Sequence, residues 1–187
     1  MRKTTSCRYA LLLILTTSLI VAAEQVRDQR WAVPLKMAGV ENLHQVDEGL
    51  YRSAQATAEG FKNLQAHGVR VVLSLRSSHD DRTLAGDTEL ELLRLPMAAW
   101  FIKDADIIAA LKIMRQRDKP LLVHCWHGAD RTGAVIAAYR IVCQNWTAEE
   151  AIREMREGGF GHHSIFNNIT VYLKNMDSEK IRRKSKP

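Results

Sequence analysis

LLVHCWHGADRTGAV, residues 121–135, is a short apolar run that stops at His124 and Cys125, passes through a turn containing Gly128, and resumes as small and apolar residues beyond Arg131. A run of that length bounded by turn residues is expected to be a buried strand, and the spacing from Thr132 to Gln144 is that of a helix. A strand that ends in a tight loop on a helix N-terminus forms an anion cradle. Successive backbone N–H groups converge on one point, and the helix dipole adds partial positive charge. A thiol at that point is favoured as thiolate, the nucleophilic form. Arg131 adds a planar fork of donors matched to two oxygens of a phosphate or sulfate. A nucleophile beneath a tetrahedral oxyanion site is the chemistry of phosphoryl transfer through a cysteine intermediate.

The flanking sequence completes an alternation of strands and helices. NLHQVDEGLYRSA (42–54) predicts two short strands around an Asp-Glu-Gly turn. ATAEGFKNLQAHG (56–68) predicts a helix capped by Thr57 and stopped at Gly68. VRVVLSLR (69–76) and TELELLRLPM (88–97) are expected strands, separated by a loop, SSHDDRTLAGD (77–87), that puts Asp80 and Asp81 in solvent. Asp104 is placed as the N-cap of a helix with Ile107, Ile108, Leu111 and Met114 on its apolar face. Beyond Gln144, Thr147-x-x-Glu150 is a capping box opening a helix to Glu157. GGFGHHS (158–164) breaks the chain, leaving His162 and His163 at the surface, and a last helix covers about 165–181. The expected fold class is α/β, one domain with a mainly parallel central sheet and helices on both faces. Ligands in such sheets bind beyond the carboxyl ends of the strands, where Cys125 lies.

The 187 residues also carry ends that read differently from the body. Arg2, Lys3 and Arg8 precede the apolar run YALLLILTTSLIVAA, which fits a signal peptide over 1–23 with cleavage before Glu24. Export, most simply to a periplasm, follows. The domain is then expected over 24–176, with a basic tail, DSEKIRRKSKP, over 177–187. The formal charge of +6 resides in these ends: removing leader and tail leaves equal numbers of acidic and basic side chains. A neutral body gives no footprint for nucleic acid. The tail is expected to be a solvated end, with weak membrane-surface contact as the lesser reading. Cys143, far along the helix that starts after Arg131, is expected to lie too distant from Cys125 for a disulfide.

HCWHGADRTG (124–133) resembles the H-C-x5-R-[ST] signature of cysteine-based protein tyrosine and dual-specificity phosphatases. With LYRSAQ, VVLSLR, YRIVCQNW and EMREGGFG, the pattern is most similar to the small bacterial periplasmic members of that group. The resemblance implies a phosphotyrosine substrate, with phosphoserine and phosphothreonine as further substrates, and no metal or cofactor. It implies Cys125 as nucleophile and Arg131 with the loop from Trp126, His127, Gly128, Ala129 and Asp130 as the phosphate site. It also implies Thr132 supporting the leaving thiolate and His124 orienting the loop. The family's general acid, an aspartate some thirty residues before the cysteine, has no clear counterpart, because Trp100 stands at about its place. Asp104, Asp106 and Asp130 remain in competition, with Asp104 first. Asp130, His127 and Arg52 also motivate a phosphoinositide or inositol polyphosphate phosphatase, and a phosphate-binding pseudophosphatase is the reading from outside enzymology. A zinc site at His124, Cys125 and His127 leaves Arg131, Thr132 and the glycines unexplained.

Overall fold

The computed structural model describes residues 27–186; the expected signal peptide and its cleavage point lie outside the described residues. The chain runs β1 (Val33–Pro34), β2 (His44–Asp47), β3 (Leu50–Ser53), α1 (Ala58–Ala66), β4 (Val71–Ser74), α2 (Arg82–Ala85), β5 (Glu91–Arg94), α3 (Asp104–Gln116), β6 (Leu121–His124), α4 (Asp130–Gln144), α5 (Ala148–Glu157), a 3₁₀ turn (Ser164–Phe166), α6 (Asn167–Asn175) and α7 (Ser178–Lys184). The six strands form one sheet in the order β1-β2-β3-β6-β4-β5. The β1–β2–β3 edge is antiparallel, and β3, β6, β4 and β5 are parallel. This is the mixed, mostly parallel α/β sheet that the strand–helix alternation predicts.

β6 is fully buried because side chains alternate across it. Leu121 and Val123 join Leu73 of β4 in a core with α3, α4, α5, α6 and α7. Leu122 and Val72 point to the other face and pack with Phe61 and Leu64 of α1 and Ala85 of α2. Helices therefore cover both faces, and an uninterrupted apolar run is what a strand covered on both sides requires. α4 and α5 are locked by a buried bidentate pair in which Arg140 donates to Glu154 at 2.7 and 2.8 Å. The Thr147–Glu150 capping box forms as expected, and Thr57 caps α1 by accepting from the Gly60 N–H.

Four expectations are corrected. Asp104 is the first residue of α3, whose N-cap is Lys103, and makes no capping bond; its carboxylate accepts instead from Lys180 Nζ at 2.8 Å and the Tyr172 hydroxyl at 3.0 Å. The final helix is broken at Met176–Asp177, where Asp177 caps a new helix by accepting from the Lys180 N–H. The basic C-terminal segment is no solvated end. Ile181 is wholly buried, and Arg182 donates to the carbonyls of Ile141 and Val142 at the end of α4. The 77–87 segment folds α2 and buries Asp81. Among the described residues no helix is long and apolar enough to cross a membrane.

Candidate active site

Ser53 of β3, His124 of β6 and Ser74 of β4 are in register, so three parallel strands end side by side. The segments that follow them meet around Cys125. The loop from His124 to Ala129 turns every carbonyl outward onto the scaffold. His124 O accepts from Leu75 N–H at 2.9 Å, Trp126 O from Gln55 N–H at 3.0 Å, and Ala129 O from Gly133 N–H at 2.9 Å. His127 O accepts from Asn42 Nδ2 at 2.8 Å, Gly128 O from Arg52 at 2.6 Å, and Cys125 O faces His124 Nδ1 at 3.1 Å. Conversely, among the described residues no backbone N–H from Trp126 to Arg131 donates to any protein acceptor. Peptide planes whose oxygens are fixed outward direct their N–H groups inward, and the first N–H groups of α4 add to them. The result is a nest of donors around a buried, free cysteine.

Gly128 makes the turn possible. Its φ is +70°, and an added Cβ would stand 2.4 Å from the Ser53 carbonyl carbon and oxygen. Gly128→Ala is therefore expected to displace the loop. A shift of about 1 Å costs on the order of 10²-fold in rate, so kcat/KM should fall at least that far, which steady-state kinetics on an aryl phosphate will measure.

Two buried charges support the loop from behind, and the sequence revealed neither as buried. Arg52, expected at a pocket rim, is 0% exposed. Its guanidinium stacks at 3.6 Å from the Phe160 ring centroid while donating to Gly128 O. Burial pushes its pKa down to about 10, with Glu154 and Cys125 opposing that change. It is thus a buried cation behind the loop that carries Cys125 and not a rim group. Asp81, expected in solvent, is 2% exposed and accepts from His124 Nε2 at 2.8 Å and from Gln55 Nε2 at 2.9 Å. With Nδ1 facing Cys125 O at 3.1 Å, both nitrogens of His124 meet oxygen atoms, which fixes the ring behind the loop. Burial raises the Asp81 pKa, but the His124 bond and charge and the Gln55 bond outweigh it, and the net shift is downward.

Breaking a buried pair by removing one partner costs several kcal/mol, so Asp81→Ala should lose about 3 kcal/mol, or roughly 6–12 °C in Tm. Because the carboxyl is lowered in the folded state, this stability is present above the ordinary carboxylate range and is lost as pH falls through the lowered pKa. Thermal melts of variant and wild type should converge in acid.

Of the remaining expected site residues, Thr132 is fully buried at the start of α4, and its hydroxyl has no partner among the described residues. Trp126, 52% exposed, lies with its ring under the Arg76 guanidinium at 4.2 Å. It lines a cavity of about 340 Å³ with Ala99, His127, Asp130, Arg131, His163, Ile165 and Phe166. Asp104 and Asp106 are absent from that lining. Trp100 stacks on Phe166 with ring centroids 4.5 Å apart at the rim. Asp130 is ringed by histidines: it accepts from the His163 N–H at 3.0 Å and faces His163 Nδ1 at 2.8 Å and His162 Nδ1 at 3.1 Å. His162, expected at the surface, has its side chain only 4% exposed. Burial raises the Asp130 pKa, but the His162 and His163 bonds outweigh it and hold the carboxyl below its ordinary value. His127, Asp130 and His163 each offer a donor atom within 4.8 Å of the others. The His163–Asp130 bond closes this group on itself. Cys143, at the far end of α4, is half-buried and free, and burial pushes its thiol pKa up.

A parallel sheet ending in a cysteine-bearing donor nest with an arginine at its helical lip defines a cysteine-based phosphatase fold. Residues 25–172 match the family model described as a DSP-PTPase phosphatase fused to NAD+ kinase, and the chain belongs to that phosphatase family. It is 36% identical over 143 residues to the dual specificity protein phosphatase TpbA of Pseudomonas aeruginosa, covering 75% of this chain and 65% of the relative. The chain thus spans about two thirds of the length of that curated relative. The crystal structure of P. aeruginosa TpbA in complex with phosphotyrosine superposes with a TM-score of 0.77 at 33% identity, covering 85% of this chain and 98% of the other. The catalytic core of the PP-IP phosphatase SIW14 from S. cerevisiae shares the fold, with a TM-score of 0.67 at 23% identity over 79% of this chain and 93% of the other.

Proposed function

We propose that this chain is an exported phosphatase that hydrolyses phosphotyrosine through a phosphocysteine on Cys125. The observation that carries the reading is the outward pinning of every carbonyl from His124 to Ala129, which leaves six successive N–H groups and the Arg131 fork to receive a phosphoryl group above the sulfur. Cys125 attacks phosphorus, and the loop amides and Arg131 hold the equatorial oxygens as charge develops on them. To the Thr132 hydroxyl, buried and unengaged, falls the role of hydrogen-bonding the sulfur and easing its departure in the second step. Arg52 supplies positive charge from behind, and the His124–Asp81 pair adds rigidity. No step in this scheme calls for a metal ion or cofactor.

Trp126, Phe166 and Ile165 give the cavity aromatic and apolar walls, which favour an aryl ester over the short phosphoserine and phosphothreonine chains. The relative TpbA, solved in complex with phosphotyrosine, supports the same substrate. The inositol phosphate reading is weakened because Arg52, one of its two basic rim groups, is buried. Membrane contact through the tail loses Lys180 and Arg182 to internal partners. Phosphate release from matched phosphotyrosine and phosphoserine peptides and from inositol hexakisphosphate tests the assignment. The phosphotyrosine peptide should be turned over at least about tenfold faster, the equivalent of roughly 1.4 kcal/mol of discrimination. A preference for the inositol phosphate would overturn it.

A further inference from the structure

A phenolate leaving group has a conjugate-acid pKa of about 10 and needs a proton at neutral pH, a contribution typically of 10²–10⁴-fold. By the family resemblance Trp100 stands at about the place of the acid, and the carboxylates nearest in sequence are engaged or remote. Asp104 is held by Lys180 and Tyr172, and neither it nor Asp106 lines the cavity that Trp126 and Arg131 share. Asp130 does line it, but it accepts from the His163 N–H and faces both His162 and His163 Nδ1. A carboxylate so employed is an acceptor without a proton to give.

We propose that His163, oriented by Asp130, is the proton donor to the leaving oxygen. The proposal rests on the phosphatase reading above. His163 is tied to Asp130 twice, through its backbone N–H at 3.0 Å and through Nδ1 at 2.8 Å. The ring is therefore fixed with Nε2 on the edge away from the carboxylate. That nitrogen has no partner among the described residues, the side chain is 46% exposed, and it faces the same cavity as Arg131 and Trp126. An imidazole whose Nδ1 is fixed by a carboxylate presents Nε2 as the acid–base atom. The groups that face it are Asp130 and His162, the His127 ring at 5.2 Å, the Phe166 ring at 6.3 Å, and Arg131 across the cavity.

The proton balance closes. As the Cys125 thiolate bonds to phosphorus and the P–O(aryl) bond breaks, the Nε2 proton passes to the departing oxygen, so tyrosine leaves as neutral phenol and His163 becomes neutral. Water then attacks the phosphocysteine, gives one proton back to Nε2, and the sulfur departs as thiolate with inorganic phosphate released.

The test measures kcat/KM for wild type, His163→Ala, His127→Gln and Asp130→Asn on aryl phosphates whose leaving phenols run from nitrophenol to tyrosine. His163→Ala should lose about 10²–10³-fold on phosphotyrosine, with the loss shrinking steeply towards nitrophenyl phosphate, whose leaving group needs no proton. Asp130→Asn removes the carboxylate that orients the ring, so its loss should show the same dependence on the leaving group as His163→Ala, at smaller size. Equal losses of His163→Ala on every leaving group, no loss on phosphotyrosine, or a leaving-group dependence that appears in His127→Gln instead would each overturn the assignment. Failure of the underlying phosphatase reading is distinguishable, because wild type itself would then hydrolyse none of the series.

Discussion

Cys125→Ser is expected to reduce turnover of a phosphotyrosine peptide by at least about 10⁴-fold while leaving its Kd within about threefold of wild type. The asymmetry follows from the geometry. The six loop N–H groups and the Arg131 fork are positioned by carbonyls that bond to Leu75, Gln55, Asn42, Arg52 and Gly133, and none of those bonds involves the sulfur. Exchanging sulfur for oxygen therefore removes the nucleophile and leaves the phosphate site standing. A hydroxyl at that position is also far less acidic than a thiol, so the nest does not ionise it. Isothermal titration beside an activity assay reads both quantities. A binding module would instead show binding in both forms and turnover in neither.

Arg131→Lys is expected to cost about 10³–10⁴-fold in kcat/KM, although it conserves charge. Removing one oxyanion donor typically costs 10²–10³-fold, and lysine replaces a planar two-donor fork by a single point charge. Because the fork engages oxygens that gain charge as phosphorus becomes trigonal bipyramidal, most of the loss should appear in kcat, with a smaller rise in KM. Arg131 stands on the first turn of α4, whose buried run from Thr132 to Val142 anchors it in the core. The fold should therefore tolerate the exchange, and an unchanged Tm would separate the chemical loss from unfolding.

The strand–loop–helix segment around Cys125 was readable because its information is local. A buried strand, a glycine at positive φ, a cysteine and an arginine lie within one short segment, and each constrains the next. The α/β class was readable from apolar runs whose length and flanks distinguish strands from helices. What sequence did not show is long-range. Asp81 looked like one of two adjacent loop acids, yet α2 turns it inward to meet His124 across 43 positions of chain. Arg52 sits in a strand beside Tyr51 with nothing to mark it as buried; only the alternation of a strand covered on both faces offered a signal. Asp104 had the residue type of an N-cap, but Lys180 of the docked C-terminal helix claims its carboxylate. The ring of His162 and His163 around Asp130 closes over 33 positions, and two adjacent histidines after a glycine-rich break carry no local mark of it.

The central claim is that phosphate passes through the sulfur of Cys125. Rapid acid quench of wild type turning over a phosphotyrosine peptide, with a chelator present, followed by mass analysis of the peptide containing Cys125, tests it most directly. A phosphoryl adduct on Cys125 is expected to accumulate during turnover and to be absent from Cys125→Ser. Turnover that proceeds with no adduct, or that stops when the chelator is added, would contradict it.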